Sequence, residues 1–472
     1  MTVLGSQWLG SGVVAPTFDT EIIGNSIWLD GSADYLTKTW AGAGNRTRWT
    51  LSWWFRLGSI GTEMVFFSAN NGTSEFRVGM DTATNTFLMV QDDGASMNVN
   101  TTALLRDTAW YHAIVSYDSN VAETSRVQVF INGVAMAMST GGAAWPSSGG
   151  ETYWNDNRAN EIGRRSRTTS AYAQAYMAQV CFLDGDSIQN SDVAVSDFLD
   201  TFTFGDNGSQ FIPKTNTDIA SLATAAAGNS FCLGFDASAD LGNDLGGENN
   251  DFTLSSIAAA NQSVDTPSLT YPVFSDLTNM GNVALFNGNT MADELSSGSA
   301  IGNTAIPDGS WYWEVKYVGG SGTGSAHGIC TFDFNTDAEL GYYSPSSPAS
   351  ADTRYIYLNT GQKGYGTSAS GATGSYGSGQ GTDTYSGVAV TKSGTSWKIW
   401  ISESGTWPIS GNPATGANPM YDWTSDYDYT FAVGNWATGD KDVYMVMVAA
   451  DWQATVPEGF LSLASNNLPT TE

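Results

Sequence analysis

Residues Trp110 to Met136, WYHAIVSYDSNVAETSRVQVFINGVAM, decide the fold class. AIVSYD and RVQVFING each alternate apolar with polar residues and are separated by a short polar loop, the pattern of adjacent antiparallel strands. The second run ends in Asn132-Gly133, a pair that tolerates positive φ and favours a tight primed turn into a further strand. This is a β-meander. The design returns at Tyr385 to Gly405, YSGVAVTKSGTSWKIWISESG, as strand, Ser-Gly turn and strand. An all-β protein of two antiparallel sandwiches, each built around one such hairpin, is the expectation.

Length and composition agree with it. A chain of 472 residues is too long for one sandwich and suits two with connections. Aromatic residues make up 12%, with 53 Gly and 13 Pro, which fits short strands, glycine turns and large side chains between sheets. The 47 acidic residues against 18 basic give a net charge of −29, a field that repels phosphate backbones and anionic membrane surfaces. Nucleic acid is therefore not an expected partner. The acidity serves solvation or cation recruitment, and composition does not separate the two. Three scattered cysteines, Cys181, Cys232 and Cys330, provide neither a disulfide framework nor a zinc site and are expected as free, mostly buried thiols. The start MTVLGSQWLGSG has no basic segment and no long apolar core, and no run approaches a membrane span, so neither Sec export nor membrane insertion is expected.

Residues 1–21 are small, polar and Gly-rich and are expected as an N-terminal arm, either a tether or a strand lent to a neighbour. Residues 22–190 hold the first sandwich. In RWTLSWWFRL, Trp49, Leu51, Trp53 and Phe55 share one face, expected as core, opposite Thr50, Ser52, Trp54 and Arg56. EMVFFSA, EFRVGM and TFLMVQDD follow as strands between Asn71-Gly72 and Asp93-Gly94 turns. Residues 191–265 are expected as a Gly/Asp-rich connector with one strand, Phe231 to Phe235. Its Asp240, Asn243, Asp244, Glu248, Asn249 and Asp251 carry the oxygen chemistry of a Ca²⁺ site without the spacing of an EF-hand, so Ca²⁺ and plain solvated turns both stand and no cofactor is required. Residues 266–472 hold the second sandwich. There WYWEVKYV sets Trp311, Trp313, Val315 and Tyr317 against Tyr312, Glu314, Lys316 and Val318.

LDGSADYLT, WTLSWWFRL, TAWYHAIVSYD, RVQVFINGV, IGR and YMAQVCFLDGDSI, in that order, resemble the concanavalin A-like lectin/glucanase jelly roll of the LamG type over most of 22–190. GSWYWEVKY, AHGICTFD and SGVAVTKSGTSWKIWISESGTW resemble a SPRY domain. VPEGFLSLASNNLP is similar to the endings of marine bacteriophage proteins, and the whole order of segments resembles phage tail fibre-like structural proteins. That resemblance implies a virion component, partnered by other virion proteins, that recognises a host cell-surface polysaccharide. It also implies a homo-oligomer, a trimer by analogy with fibres. A capsid decoration or head-fibre protein and a virion-associated polysaccharide hydrolase are the alternatives.

Candidate chemistry follows from residue types. Concanavalin-fold glycosidases resemble one another in an E-x-D-x-(x)-E strand that puts its carboxylates on one face, and no segment here has it. ETYWNDNRANE, Glu151 to Glu161, spaces its acids irregularly. His112 and His327 are the two imidazoles, both inside strand patterns, and His112 stands where the LamG-type family often has a structural His. Catalytic residues are therefore not expected. For binding, Tyr153, Trp154, Asn155, Asp156 and Arg158 combine a stacking ring with planar polar groups, unless the Trp packs inward. Arg164, Arg165 and Arg167 form the basic cluster, suited to an anionic sugar or a neighbouring subunit's acidic rim, or else a solvated strand end. Tyr342, Tyr343 and Trp407 are rim candidates on the second sandwich.

Overall fold

The structure is a computed structural model that describes residues 22–465 except 59–61, 82–86, 103–104, 106–108, 141–143, 204–208, 227, 276–279, 287, 320–324, 332–352, 366–371 and 436–441. The arm at 1–21 lies outside the described residues. The chain divides into two compact units, Met1–Leu269 and Thr270–Glu472.

The opening hairpin forms as expected. Trp110–Asp118 and Val127–Ile131 pair antiparallel from Ala113↔Ile131 to Tyr117↔Val127. Asn132 and Gly133 take φ of 48° and 72°, and Val134 folds back onto Ile131. Two consecutive left-handed residues match the right-handed twist of the strands they join. Around this hairpin grows one eight-stranded sheet in the order Val134–Ala135, Val127–Ile131, Trp110–Asp118, Arg48–Leu57, Gln174–Asp184, Ser26–Asp30 and Gln262–Ser263, with Phe231–Leu233 beside Gln174–Asp184. The second sheet carries the meander Met64–Asn70, Glu75–Asp81, Phe87–Asp92 and Met97–Thr101, flanked by Met138–Ser139 on one side and by Ala159–Ile162, Tyr35–Thr39 and Thr253–Ser255 on the other.

The two sheets meet through large rings. Trp53 lies 4.8 Å from Phe67 and 6.0 Å from Phe66, and Trp49 packs edge-on to Phe76 at 5.6 Å. Trp49, Leu51, Trp53 and Phe55 all reach this core, as the alternation requires. The opposite face is buried too, which the alternation did not anticipate. Thr50 Oγ1 donates to the Asp186 carbonyl (3.0 Å), Ser52 Oγ pairs with His112 Nε2 (2.9 Å), Trp54 packs against Ile23 and Ala178, and Arg56 is ion-paired with Asp265.

The stretch expected as a connector adds strands to both sheets and helps to cover that face. Phe231–Leu233 pairs with Gln174–Asp184, Thr253–Ser255 with Tyr35–Thr39, and Gln262–Ser263 with Ser26–Asp30. The helix Asn216–Ala226 buries Ile219, Ala220 and Ala223 against Ile114, Cys181 and Leu183. Residues 191–265 thus belong to the first unit, and the division falls after Leu269. Phe231 and Phe252 join the core through Trp40 and Phe182, so the segment stays because leaving would expose rings.

The second unit is one twelve-stranded antiparallel sheet folded into two layers. Its long strand Met291–Ile301 pairs by Gly298–Ile301 with Tyr429–Asn435 and by Met291–Ala292 with Asp442–Val446, so it turns from one layer into the other. One layer continues through Ser325–Thr331, Thr353–Tyr357, Gln362–Tyr365 and Ala372–Ser375; the other through Gly309–Val318, Thr384–Ser393, Ser396–Ile401 and Tyr421–Thr424. Trp313 and Phe431 face each other across them at 6.3 Å, and Trp397 and Tyr429 at 4.9 Å. The second hairpin forms in the register Val388↔Ile401 to Ser393↔Ser396, with Gly394 at φ 56° in its turn. VPEGFLSL is an irregular closing segment that meets the sheet at an isolated parallel bridge, Leu461 to Trp311. It and its neighbours cover Tyr312 and Glu314. The Glu314 carboxylate accepts from Gln453 N–H (2.9 Å) and Ala454 N–H (2.8 Å), while Trp452 packs edge-on to Tyr312.

Candidate functional site

In the loop after Gly150, expected as a stacking platform, the tryptophan turns inward. Asn155 takes φ of 66°, a left-handed turn that Asn tolerates, and the chain reverses there. Trp154 is fully buried among Phe67, Phe76 and Phe182, with centroids 5.6 to 5.8 Å away. Burying a ring of that size is worth roughly 4 kcal/mol or more by area, well above what stacking at an exposed rim returns. Asn155 is also buried. Its Nδ2 donates to Asp184 Oδ1 (2.7 Å) and its Oδ1 accepts from Asn229 Nδ2 (2.8 Å), so it clamps the loop to the end of strand Gln174–Asp184 and to Asn229.

Asp156 is equally committed: its Oδ2 accepts from Arg158 Nε at 2.6 Å. Arg158 lies over the Tyr153 ring at 5.2 Å. Tyr153 and Arg158 are partly exposed at this rim, beside an Arg46–Glu151 ion pair of 2.8 Å. Glu151 is engaged by Arg46. Glu161 is held instead by Arg164, through contacts of 2.6 and 2.9 Å.

The basic cluster is likewise occupied. Arg164 stacks 3.5 Å from the Tyr35 ring while gripping Glu161, which holds its guanidinium above the usual arginine range. Arg165 grips the buried Glu75, and Arg167 approaches the same carboxylate at 4.0 Å. These arginines neutralise their own sheet. Trp407 is half-buried against the cluster of Tyr312, Trp400 and Phe460, and Tyr342 and Tyr343 lie outside the described residues.

The imidazoles face inward. Burial holds both His112 and His327 neutral, with pKa values pushed down to about 3. His112 pairs with Ser52, and His327 Nδ1 lies 3.4 Å from the Tyr317 hydroxyl. Neither is placed to exchange a proton with a ligand at the surface. Within the acidic run, Asp244 and Asp251 serve their own turns, while Asp240, Glu248 and Asn249 are exposed. Asp244 accepts from the N–H groups of Cys232 (2.8 Å), Gly246 (2.7 Å) and Asn250 (2.9 Å), and Asp251 accepts from Asp244 N–H at 2.9 Å. Among the described residues no three His, Cys, Asp or Glu side chains are grouped to hold a metal ion.

A group that sequence reading passed over gathers on the second sandwich. Arg354, on Thr353–Tyr357, lies 4.8 Å from the Trp423 ring, 5.5 Å from Tyr365 and 5.7 Å from Tyr421. Tyr365 and Tyr421 meet edge to face at 5.8 Å. Lys363 Nζ lies 4.7 Å from the Tyr421 ring and donates to the Met420 carbonyl at 2.7 Å, and burial lowers its pKa. Arg354 is 8% exposed and Tyr365 50%, so the cation lies beneath and the rings reach the surface. Guanidinium on several ring faces fixes their orientation, as cation–π contact in a desolvated setting does. The signal was in YDWT, where period two puts Tyr421 and Trp423 on one face. The partners, some sixty residues earlier in the chain, are supplied by the fold.

Comparison with curated proteins finds no match. Similar solved structures include the SPRY domain of human HERC1 (13% identity, 37% of this chain and 96% of that one, TM-score 0.28). They include a SAP-like pentraxin from Limulus polyphemus (11% identity, 38% and 84%, TM-score 0.29). Mouse laminin alpha1 chain domains LG4-5 align more broadly (10% identity, 97% and 90%, TM-score 0.27). With TM-scores this low, the fold assignment rests on the sheets described above. Residues 30–194, the part built around the opening hairpin, match the family model Laminin_G_3, the concanavalin A-like lectin/glucanases superfamily.

Proposed function

We propose that this protein is a non-catalytic glycan-recognising component of a phage virion, a tail fibre or receptor-binding subunit that contacts host surface polysaccharide. The observation that carries the recognition part is the braced aromatic group Tyr365–Tyr421–Trp423, with Lys363 beside it. Sugar rings present apolar C–H faces that stack on aromatic rings and hydroxyls that take hydrogen bonds, and a pre-oriented ring loses little freedom on binding. The concanavalin A-like match over 30–194 agrees with a binding role, and the virion setting rests on the order of segments and the VPEGFLSLASNNLP ending.

Extracted host polysaccharide, titrated onto the purified protein, tests this reading. Binding should occur with polymer length unchanged, and Tyr365→Ala with Tyr421→Ala should weaken it by about tenfold or more, as loss of a stacking anchor does. Binding that survives both changes would move the site elsewhere on the molecule. Shortening of the polymer would instead identify a hydrolase. Absence of binding, together with normal adsorption of particles lacking the protein, would leave a capsid decoration or head-fibre role.

A further inference from the structure

Cys181 and Cys232 stand opposite each other on neighbouring antiparallel strands, in the register Val180↔Leu233, Cys181↔Cys232 and Phe182↔Phe231. Cys232 turns its backbone away from that partner. Its N–H donates to Asp244 Oδ1 (2.8 Å) and its carbonyl accepts from Leu245 N–H (2.8 Å). A residue whose amide and carbonyl both serve the far side forms a non-hydrogen-bonded pair with the near strand. At such pairs the Cα atoms are about 4.5 Å apart and the side chains approach most closely. That spacing falls inside the roughly 4.4 to 6.8 Å that a disulfide spans.

The two residues are direct cross-strand partners, and burial first, then the neighbouring Cys232 thiol, hold the Cys181 thiol well above the usual thiol range. Both are fully buried and free, under the helix Asn216–Ala226 and among Ile114, Leu183, Phe198 and Ile219. The third thiol, Cys330, belongs to the other compact unit.

We propose that Cys181 and Cys232 are a disulfide site, open in reducing surroundings and closed in oxidising ones, which fastens the excursion between them to the first sandwich. The oxidant is a small-molecule disulfide of the glutathione class. One protein thiol loses its proton, and the thiolate attacks the oxidant's S–S bond and releases one glutathione thiolate. The second protein thiol, also deprotonated, displaces the other glutathione from the mixed disulfide. Two protein S–H bonds become one S–S bond, and two electrons and two protons leave as two glutathione thiols. Buried, neutral thiols react slowly, so closure takes place while the chain folds or when the helix lifts. The bridge closes a loop of about fifty residues and removes that freedom from the unfolded chain. A chain made in a reducing cytoplasm and released outside passes from the open to the closed state.

The test uses the full chain, unfolded and refolded in a glutathione redox buffer, then alkylated, digested and weighed. Before alkylation the expected product is about 2 Da lighter than the reduced chain; unfolded and alkylated, it carries the label at Cys330 alone and yields a linked pair of peptides bearing Cys181 and Cys232. Its first unfolding transition should lie about 4 °C or more above that of the reduced protein. Cys232→Ala should abolish both the link and the gain. If that variant fails to fold, the oxidised and reduced forms of the unaltered chain decide the matter alone. Three alkylated thiols after oxidation, a link to Cys330, or a bridge that brings no rise in the transition would each overturn the proposal.

Discussion

Trp53 and Trp313 each stand on the inner face of a long interior strand with no exposed surface. Truncating either leaves a void that neighbouring rings cannot fill. Trp53→Ala and Trp313→Ala should each cost about 3 to 5 kcal/mol in urea unfolding. A loss under about 1 kcal/mol would mean that the ring is not core. Asp92 offers a pH-dependent counterpart. Burial pushes its carboxyl up to about 7, against N–H groups of Ala95 and Tyr153 that pull it down. A raised carboxyl pKa means that the folded chain holds the proton more tightly than the unfolded one. This contribution is complete below the ordinary value of 3.8 and is lost as pH rises through about 7. The urea midpoint should therefore fall between about pH 4 and about pH 7, and Asp92→Asn should flatten that fall; an unaltered slope in the variant would remove Asp92 from the account. At this scale the sequence identified the core tryptophans, because alternation on a strand is a local property. It could not place Trp154, whose inward turn depends on Phe67, Phe76 and Phe182 arriving from three other strands.

Elements show the same division. The hairpins at Trp110–Ile131 and Thr384–Ile401 were legible because strand period and turn residues lie within about twenty positions of one another. The segment 191–265 was not, since its Asp, Asn and Gly content is that of solvated turns while its few apolar residues serve a face built by others. Helix Asn216–Ala226 and strand Phe231–Leu233 cover Ile114, Cys181 and Leu183, and the buried Arg56–Asp265 pair ties the end of the segment down, joined by Trp110 Nε1 at 2.8 Å. A fragment of residues 22–190 should accordingly expose apolar surface, bind a hydrophobic dye and lack a sharp thermal transition. A fragment of 22–269 should melt cooperatively. Equal cooperativity in both would restore the connector reading. Within the longer fragment, Asp265→Ala should cost about 3 to 5 kcal/mol, because Arg56 would be left as an uncompensated buried charge.

For the molecule as a whole, the net charge of −29 sets up a summed field that repels phosphate backbones. Assembly is proposed as a homo-oligomer, a trimer on the fibre resemblance, held in part by residues 1–21. Deleting residues 2–18 should change the mass in solution by light scattering, or incorporation into particles, and indifference in both would take the arm out of assembly. Ca²⁺ is not needed for the turns of the acidic run, where backbone N–H groups already occupy Asp244 and Asp251. Chelation should therefore leave the unfolding transition unmoved.

Sequence by itself determined the all-β class, the two organising hairpins and the inner faces of RWTLSWWFRL and WYWEVKYV, because each follows from near-neighbour spacing and from the preference of large apolar groups to leave water. Tertiary structure alone decided how much of the outer face of those strands meets solvent: the 191–265 segment helps to bury that of RWTLSWWFRL, and residues 452–460 cover Tyr312 and Glu314 while Lys316 and Val318 stay partly exposed. It alone brought Arg354 beneath Tyr365, Tyr421 and Trp423, and Cys232 opposite Cys181. Those meetings join residues some fifty to seventy positions apart, and their energies exist only once the sheets have closed, so no local pattern in the chain encodes them.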